Sequence, residues 1–368
     1  MVRLYSPFLA LCLCFPALAQ AQQTSAPAPA DKQTAPQAPA LAPRPAFTPT
    51  PAAGEGHLHL DVVVTDKSGK PVSGLEAQDF VLKDNNLPAK ILSFHAGGTT
   101  VQKDGPLVEV ILLLDTVNFG FQDVSRFRQQ IAQFLRRNGG HLAIPVSVVV
   151  FNDDGMKVLL QPSTDGNALA GQLDHADSKL RVIGRNSQYG ALDRFSLSLN
   201  WIDIVAKSQI TRPGRKLLIW TGPGWPMFDR PGLEISSKDQ QHIFSEIVDL
   251  STSLREAHMA VYSVNMGEPG LGTYLYQGFL KGVKTPEKAN PSDLGLKVLA
   301  VQTGGRAMSP DNDIASQIDA CIQDATAWYT ISFDPPRADK PNEYHDLKVE
   351  VDKPGLTART STGYYNQP

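Results

Sequence analysis

Asp115 is the carboxylate whose setting points most directly to a ligand site. It ends a run of β-branched and aliphatic residues, Val108 to Leu114, interrupted only by Glu109. Such a run reads as a strand buried on both faces, and open α/β sheets place their ligands at the carboxyl ends of such strands. His57, His59 and Asp61 alternate along another strand and share one face, a spacing that a metal ion can use. No fourth ligand accompanies them, so an ordinary polar strand face is expected. Asp153-Asp154 and Asp174 fall in turns and read as solvated. His141, His175, His242 and His258 lie on or near helices, where surface or capping roles suffice. The chain has no Gly-x-Ser-x-Gly elbow, no phosphate loop ending in Gly-Lys-Ser/Thr and no His-Glu-x-x-His helix. A non-catalytic protein is therefore expected.

The elements that must position Asp115 follow from periodicity. Val124, Phe127, Ile131, Phe134 and Leu135 form a helix stripe just after it. Pro145–Phe151, Arg215–Thr221 and Met259–Val264 are further buried strands. Helices are marked by Leu192, Phe195, Leu199, Ile202 and Ala206, and by Ile243, Ile247, Leu250, Leu254 and Ala257. Leu294 to Val301 is another, stopped at Gly304-Gly305, and Ile314, Ile318, Ile322 and Ala325 mark the last. Alternating strands and helices over 105–325 predict an α/β domain with a doubly wound, mostly parallel sheet flanked by helices.

Both ends of this domain read as β. Strands are expected at 57–64, 79–83 and 89–94, the last two joined across Asn85-Asn86. Others are expected at Trp328–Phe333, Leu347–Val351 and near Leu356–Thr362. Three strands at either end are too few to bury a face alone. Segments 57–100 and 328–365 are therefore expected to pack together as one discontinuous β-sandwich.

Residues 1–21 read as an export signal, with Arg3, an apolar stretch from Phe8 to Phe15 and a small-residue cleavage site near Ala17–Ala21. The apolar stretch is short of the roughly 20 residues that a membrane span needs, so the mature chain should have no transmembrane segment. Residues 22–53, rich in Ala, Pro, Gln and Thr, read as a disordered linker. Of the 3 cysteines, Cys12 and Cys14 leave with the signal, and Cys321 reads as a buried thiol. A net charge of −3 without a basic stripe argues against nucleic acid. The expected location is periplasmic or extracellular.

Val110-Ile111-Leu112-Leu113-Leu114-Asp115, Val146–Phe151, Lys216–Thr221 and Ala300-Val301-Gln302-Thr303-Gly304-Gly305-Arg306 together resemble the von Willebrand factor type A family. Val64-Thr65-Asp66-Lys67-Ser68-Gly69-Lys70-Pro71-Val72 and Gly363-Tyr364-Tyr365 are similar to an exported acidobacterial subgroup of it. The resemblance implies a metal-ion-dependent adhesion site: an Asp-x-Ser-x-Ser motif, a distant Thr and an Asp after the fourth strand, holding Mg²⁺ for a partner's carboxylate. Asp115 matches the first aspartate, but Val117 and Phe119 stand at the serine positions. Asn186 falls at the threonine position, and Thr221-Gly222-Pro223 replaces Thr-Asp-Gly. Thr116 and Asn118 are vestigial oxygen donors, out of register by one. The resemblance thus implies a degenerate site in which Asp115 accepts hydrogen bonds from loop N–H groups, and no cofactor.

The loops that follow the parallel strands carry aromatic residues: Trp225, Met227 and Phe228 in 222–232, and Tyr274, Tyr276 and Phe279 in 267–292. With Asp115, Asn118, Phe119, Asn186 and Thr221 they define a candidate binding face for another envelope or extracellular protein. The same aromatics are equally suited to folding down over the sheet end or the β-sandwich. Three functions fit: a non-catalytic adhesion or scaffolding module using this face, a divergent Mg²⁺-dependent adhesin, and an envelope structural protein acting through the β-sandwich.

Overall fold

The computed structural model describes residues 57–98, 108–159, 161–176, 188–225, 235–266 and 274–368. The export signal, the linker, Asn186, Met227 and Phe228 lie outside them. Chain order begins with β1 (Leu58–Thr65), β2 (Phe80–Asp84), β3 (Leu87–Ala89), β4 (Ser93–Gly98), β5 (Val108–Asp115), α1 (Phe121–Leu135), β6 (His141–Asn152) and β7 (Gly155–Val158). It continues with β8 (Ser163–Asp165), α2 (Gly166–His175), α3 (Gln188–Gln209), β9 (Arg215–Thr221), α4 (Ser237–Glu256), β10 (Met259–Val264) and α5 (Tyr274–Gln277). The remaining elements are α6 (Leu296–Gln302), β11 (Arg306–Ala307), α7 (Ile314–Ile322), β12 (Ala327–Phe333), β13 (Glu343–Val351), β14 (Thr357–Arg359) and β15 (Gly363–Asn366).

The large sheet has the order β11-β10-β9-β5-β6-β7, with β8 paired to β6. Its strands from β11 to β6 are parallel, and β7 and β8 run antiparallel. β5 lies between β9 and β6, and its alternation sends side chains into two cores. Val110, Leu112 and Leu114 pack with Val124, Phe127 and Ile131 of α1 and Ile314 and Ile318 of α7. Ile111 and Leu113 pack with Phe195 and Ile202 of α3, Ile247 of α4 and Leu299 of α6. Each such side chain contributes roughly 1.5–3 kcal/mol by leaving water, so β5 is the strand on which the layers are assembled. Cys321 is fully buried in the first core, and burial pushes its thiol well above the ordinary range.

Strands from both ends build two antiparallel sheets, β14-β1-β12-β4 and β15-β13-β2-β3. Leu60, Val62, Phe80, Leu82, Tyr329, Ile331, Leu347 and Val349 form the core between them. The expected strand at 89–94 is replaced by two. β3 pairs with β2 and β4 pairs with β12, so the chain changes sheet at Lys90–Leu92. Pro88 on the edge strand β3 fits that break, because it has no N–H to offer a further partner. The expected strand near Leu356–Thr362 also divides, into β14 on one sheet and β15 on the other.

This β unit is tied to the α/β unit by buried polar contacts. Asp324, fully buried after α7, accepts hydrogen bonds from the Tyr262 hydroxyl at 2.9 Å and from Arg359 of β14. Arg215 donates to the Asp324 carbonyl at 2.7 Å. On a second contact, His258 of the α4–β10 turn lies with Nδ1 3.3 Å from Oδ2 of Asp61 on β1.

Candidate functional site

Register places Asp115 at the carboxyl edge of the parallel sheet, opposite Phe151 of β6, while Leu114 pairs with Thr221 of β9. The carboxylate is fully buried. Oδ1 accepts the backbone N–H groups of Val117 and Asn118, both at 2.9 Å. Oδ2 accepts the Asn118 side-chain amide at 2.9 Å and the Trp220 indole N–H at 3.0 Å. Burial pushes this carboxyl above the usual carboxylate range, against the downward pull of Asn118, Trp220 and Val117. The chain after β5 turns around its own aspartate, as short acidic side chains do when they accept bonds two and three residues on.

Most of the other positions that a cation would need are spent or blocked; the buried Oδ1 of Asn118 alone among the candidate donors is left without a partner. Thr116 donates its hydroxyl to the Phe151 carbonyl at 2.7 Å, and Thr221 to the Leu113 carbonyl at 2.6 Å. Asn118 is half-buried and shares its amide with Ser198 Oγ at 3.2 Å. At Gly222, a Cβ would lie 2.8 Å from the Asp115 Cβ and 3.2 Å from a Phe119 ring carbon. The family's second aspartate would therefore not fit there without moving the first. A Mg²⁺ site wants several oxygens around an open centre; here the one carboxylate is filled by N–H donors. The residues present do not fit the ion. Among the described residues, no group of three or more His, Cys, Asp or Glu side chains is disposed to hold a metal.

Of the two arrangements expected for the aromatic residues, Phe119, Trp225 and Tyr276 take the folded-down one. Trp225 is 5% exposed, packs edge-on against Trp220 at 5.3 Å and donates its indole N–H to the Leu294 carbonyl at 2.9 Å. Gly222 and Gly224 explain the inward turn. Gly224 has φ +71°, and a Cβ there would meet Leu296 at 2.8 Å, so the chain doubles back tightly enough to lay Trp225 on the core. Phe119 is buried against Phe127 at 4.4 Å. Tyr276 is buried with the Lys297 ammonium 5.0 Å from its ring centre. Thr116 and Thr221 are buried as well. Tyr274 starts the short helix α5. The structure thus gathers Asp115, Thr116, Asn118, Phe119, Thr221 and Trp225 around one strand end, as supports rather than as an exposed apolar patch.

Trp220 is the residue that sequence reasoning missed. Its signal is an indole among aliphatic residues one position before a buried strand's end, where the N–H needs an acceptor. His258, expected in a surface or capping role, is instead drawn to strand β1. It comes together with Asp61 and His59, whose ring centre lies 6.1 Å from that of His258. His57 instead pairs with Asp334.

A mostly parallel sheet between two helical layers, with an aspartate at the end of its central strand, is a von Willebrand factor type A-like fold. No protein-family model matches the chain, and no curated protein does. Among solved structures it is similar to the human COPII-coat protein Sec24c, at 10% identity over 74% of this chain and 46% of that one, with a TM-score of 0.34. It is also similar to the SpRpn10 VWA domain, at 13% identity over 58% of this chain and 94% of that one, with a TM-score of 0.27. The chain thus spans under half the length of the Sec24c structure. Likeness at these TM-scores carries no argument about this chain.

Proposed function

We propose that the chain is an exported, non-catalytic protein-binding module, of an adhesion or scaffolding kind, that engages its partner at the carboxyl edge of the parallel sheet without a metal ion. The observation that carries this reading is the Asp115 carboxylate, placed where the fold's ligand site belongs and saturated by N–H donors at 2.9–3.0 Å. A carboxylate so occupied has no lone pair directed at solvent, which leaves a degenerate adhesion site as a rigid platform for the surrounding loops. Export rests on residues 1–21 and on the linker-like composition of 22–53. Among the described residues no helix is long and apolar enough to cross a membrane.

The test is partner capture from envelope extract with wild type and two variants as bait. Pro223→Arg places a charge at the loop that follows β9, and Leu87→Lys does so on the exposed edge strand β3. The reading expects a partner held by wild type and by Leu87→Lys, lost with Pro223→Arg and indifferent to EDTA. Loss with Leu87→Lys alone supports the envelope structural protein acting through the β-sandwich, and loss in EDTA supports the Mg²⁺-dependent adhesin.

A further inference from the structure

The large sheet ends at β7, whose outer edge carries no strand among the described residues. Its hairpin with β6 fixes which groups face outward. The Leu159 N–H donates to the Val148 carbonyl at 2.9 Å, and Met156 stands opposite Phe151 and Val158 opposite Val149. Antiparallel ladders bond every second pair. Val150 with Lys157, and Asn152 with Gly155, therefore fall in the bonded phase set by Leu159. The N–H and C=O groups of Met156 and Val158 point away from β6, toward the open edge, and meet no partner there among the described residues.

The side chains of β7 divide between the two faces of the sheet. Met156 and Val158 share a face with Val149 and Phe151, whose core includes α3, and Lys157 takes the other. On the first face α3 adds apolar residues: Leu197, Trp201 and Val205 are half-buried against the same core. Trp201 reaches the start of β7, where a Cβ on Gly155 would meet its ring at 2.3 Å. Val158 is 55% exposed, so this face stays apolar and open at the sheet edge. Lys157 is exposed and pairs with no carboxylate among the described residues.

A short strand with a lysine is also how proteins guard an open edge. Here the guard selects its occupant. Two copies of residues 155–159 overlapped antiparallel put Lys157 opposite its own copy, and like charges directly opposite one another oppose pairing. A strand with a carboxylate at that position gains where the second copy loses. We infer that β7 accepts an extended peptide of another protein by antiparallel strand addition, with an acidic residue opposite Lys157 and an apolar residue on either side of it. The apolar pair lies against Met156 and Val158 beside Trp201, and exchanges backbone hydrogen bonds with Met156 and Val158. Neutral residues suit the positions beyond, because Asp153 and Asp154 stand at the β6–β7 turn.

Fluorescence anisotropy of a labelled Thr-Val-Glu-Val-Thr peptide, capped at both ends, tests this assignment on the full chain. Binding is expected, and should fall about fivefold when lysine replaces the glutamate, the scale of one exposed cross-strand charge pair. N-methylation of both valines should abolish binding, because it removes the donors to β7. Lys157→Glu should reverse the preference between the two peptides at an unchanged melting temperature, since that side chain is exposed. Val158→Pro deletes an N–H that β6 does not use and should lose both peptides. No binding by wild type, equal binding of the N-methylated peptide, or an unreversed preference in Lys157→Glu overturns the assignment. A concentration-dependent dimer that Val158→Pro abolishes also overturns it, by giving the edge to a second copy of the chain.

Discussion

At the scale of single residues, the account turns on what fills the Asp115 carboxylate. The indole of Trp220 reaches it from 105 positions away in sequence. Only the register of β5 against β9, which pairs Leu113 with Trp220, brings the two side chains together. The position of Asp115 was therefore legible from the apolar run before it, whereas its partner was not, because register is a property of two strands. Trp220→Phe keeps most of the ring volume and deletes one N–H. It is expected to cost roughly 2–3 kcal/mol, the scale of a buried hydrogen bond to a charged group, measured by urea denaturation. Gly222→Ala should cost roughly 1–3 kcal/mol by overpacking against Asp115 and Phe119, read from the same titration. Wild-type stability for Gly222→Ala would mean that the strand end has room the structure does not show.

Elements were legible in proportion to how much of their signal is local. The β5, β6, β9 and β10 strands are buried runs, and α1 and α4 have long stripes, so each stands out within its own window. The helix α2 was missed because Gly166, Asn167 and Gly171 dilute its pattern. Its start is nonetheless marked by Asp165, whose side chain accepts the Ala168 N–H at 2.9 Å. The sheet switch between β3 and β4 depends on distant β12 and has no local signature. Strand β1 also carries a pH response. Burial, then the charge of His258, lowers the pKa of His59 below its ordinary 6.5. For Asp61, burial acts upward, but the hydrogen bond and charge of His258, with Arg215 and Thr330, bring it below its ordinary 3.8.

Both shifts have the same consequence for stability. A base with a lowered folded pKa leaves the unfolded chain binding the extra proton, so stability falls as pH drops below about 6.5. An acid with a lowered folded pKa contributes stability above 3.8 that is lost as pH falls through its folded value. Melting temperature should therefore decline on acidification in two stages. Arg255 and His57 add positive charge near His59 and act in the same direction. His59→Gln should remove the upper stage, and an unchanged pH profile in that variant would assign the upper stage elsewhere.

For the molecule as a whole, the β unit made from both chain ends is held to the α/β unit through Asp324, Arg359, Arg215 and Tyr262. Asp324→Ala leaves the Arg359 guanidinium and the Tyr262 hydroxyl without their acceptor. The expected loss is about 3 kcal/mol, the lower range for breaking a buried ion pair because Arg359 is 27% exposed on its side chain. A matching loss in both tryptophan fluorescence and far-ultraviolet dichroism would mark one cooperative unit. That the two ends pack together was inferable from strand number, since neither end has enough strands to cover a face. The aromatic face was not inferable, because two glycines decide whether Trp225 points out or in.

The central claim is that the strand-end aspartate is a fixed anchor satisfied by protein N–H groups. The most direct measurement is the melting temperature of wild type and Asp115→Ala, each in EDTA and in millimolar Mg²⁺ or Mn²⁺. The account expects one wild-type value in all three conditions and a markedly lower, equally cation-indifferent value for the variant. A rise in the wild-type melting temperature with Mg²⁺ or Mn²⁺ that Asp115→Ala abolishes would contradict it.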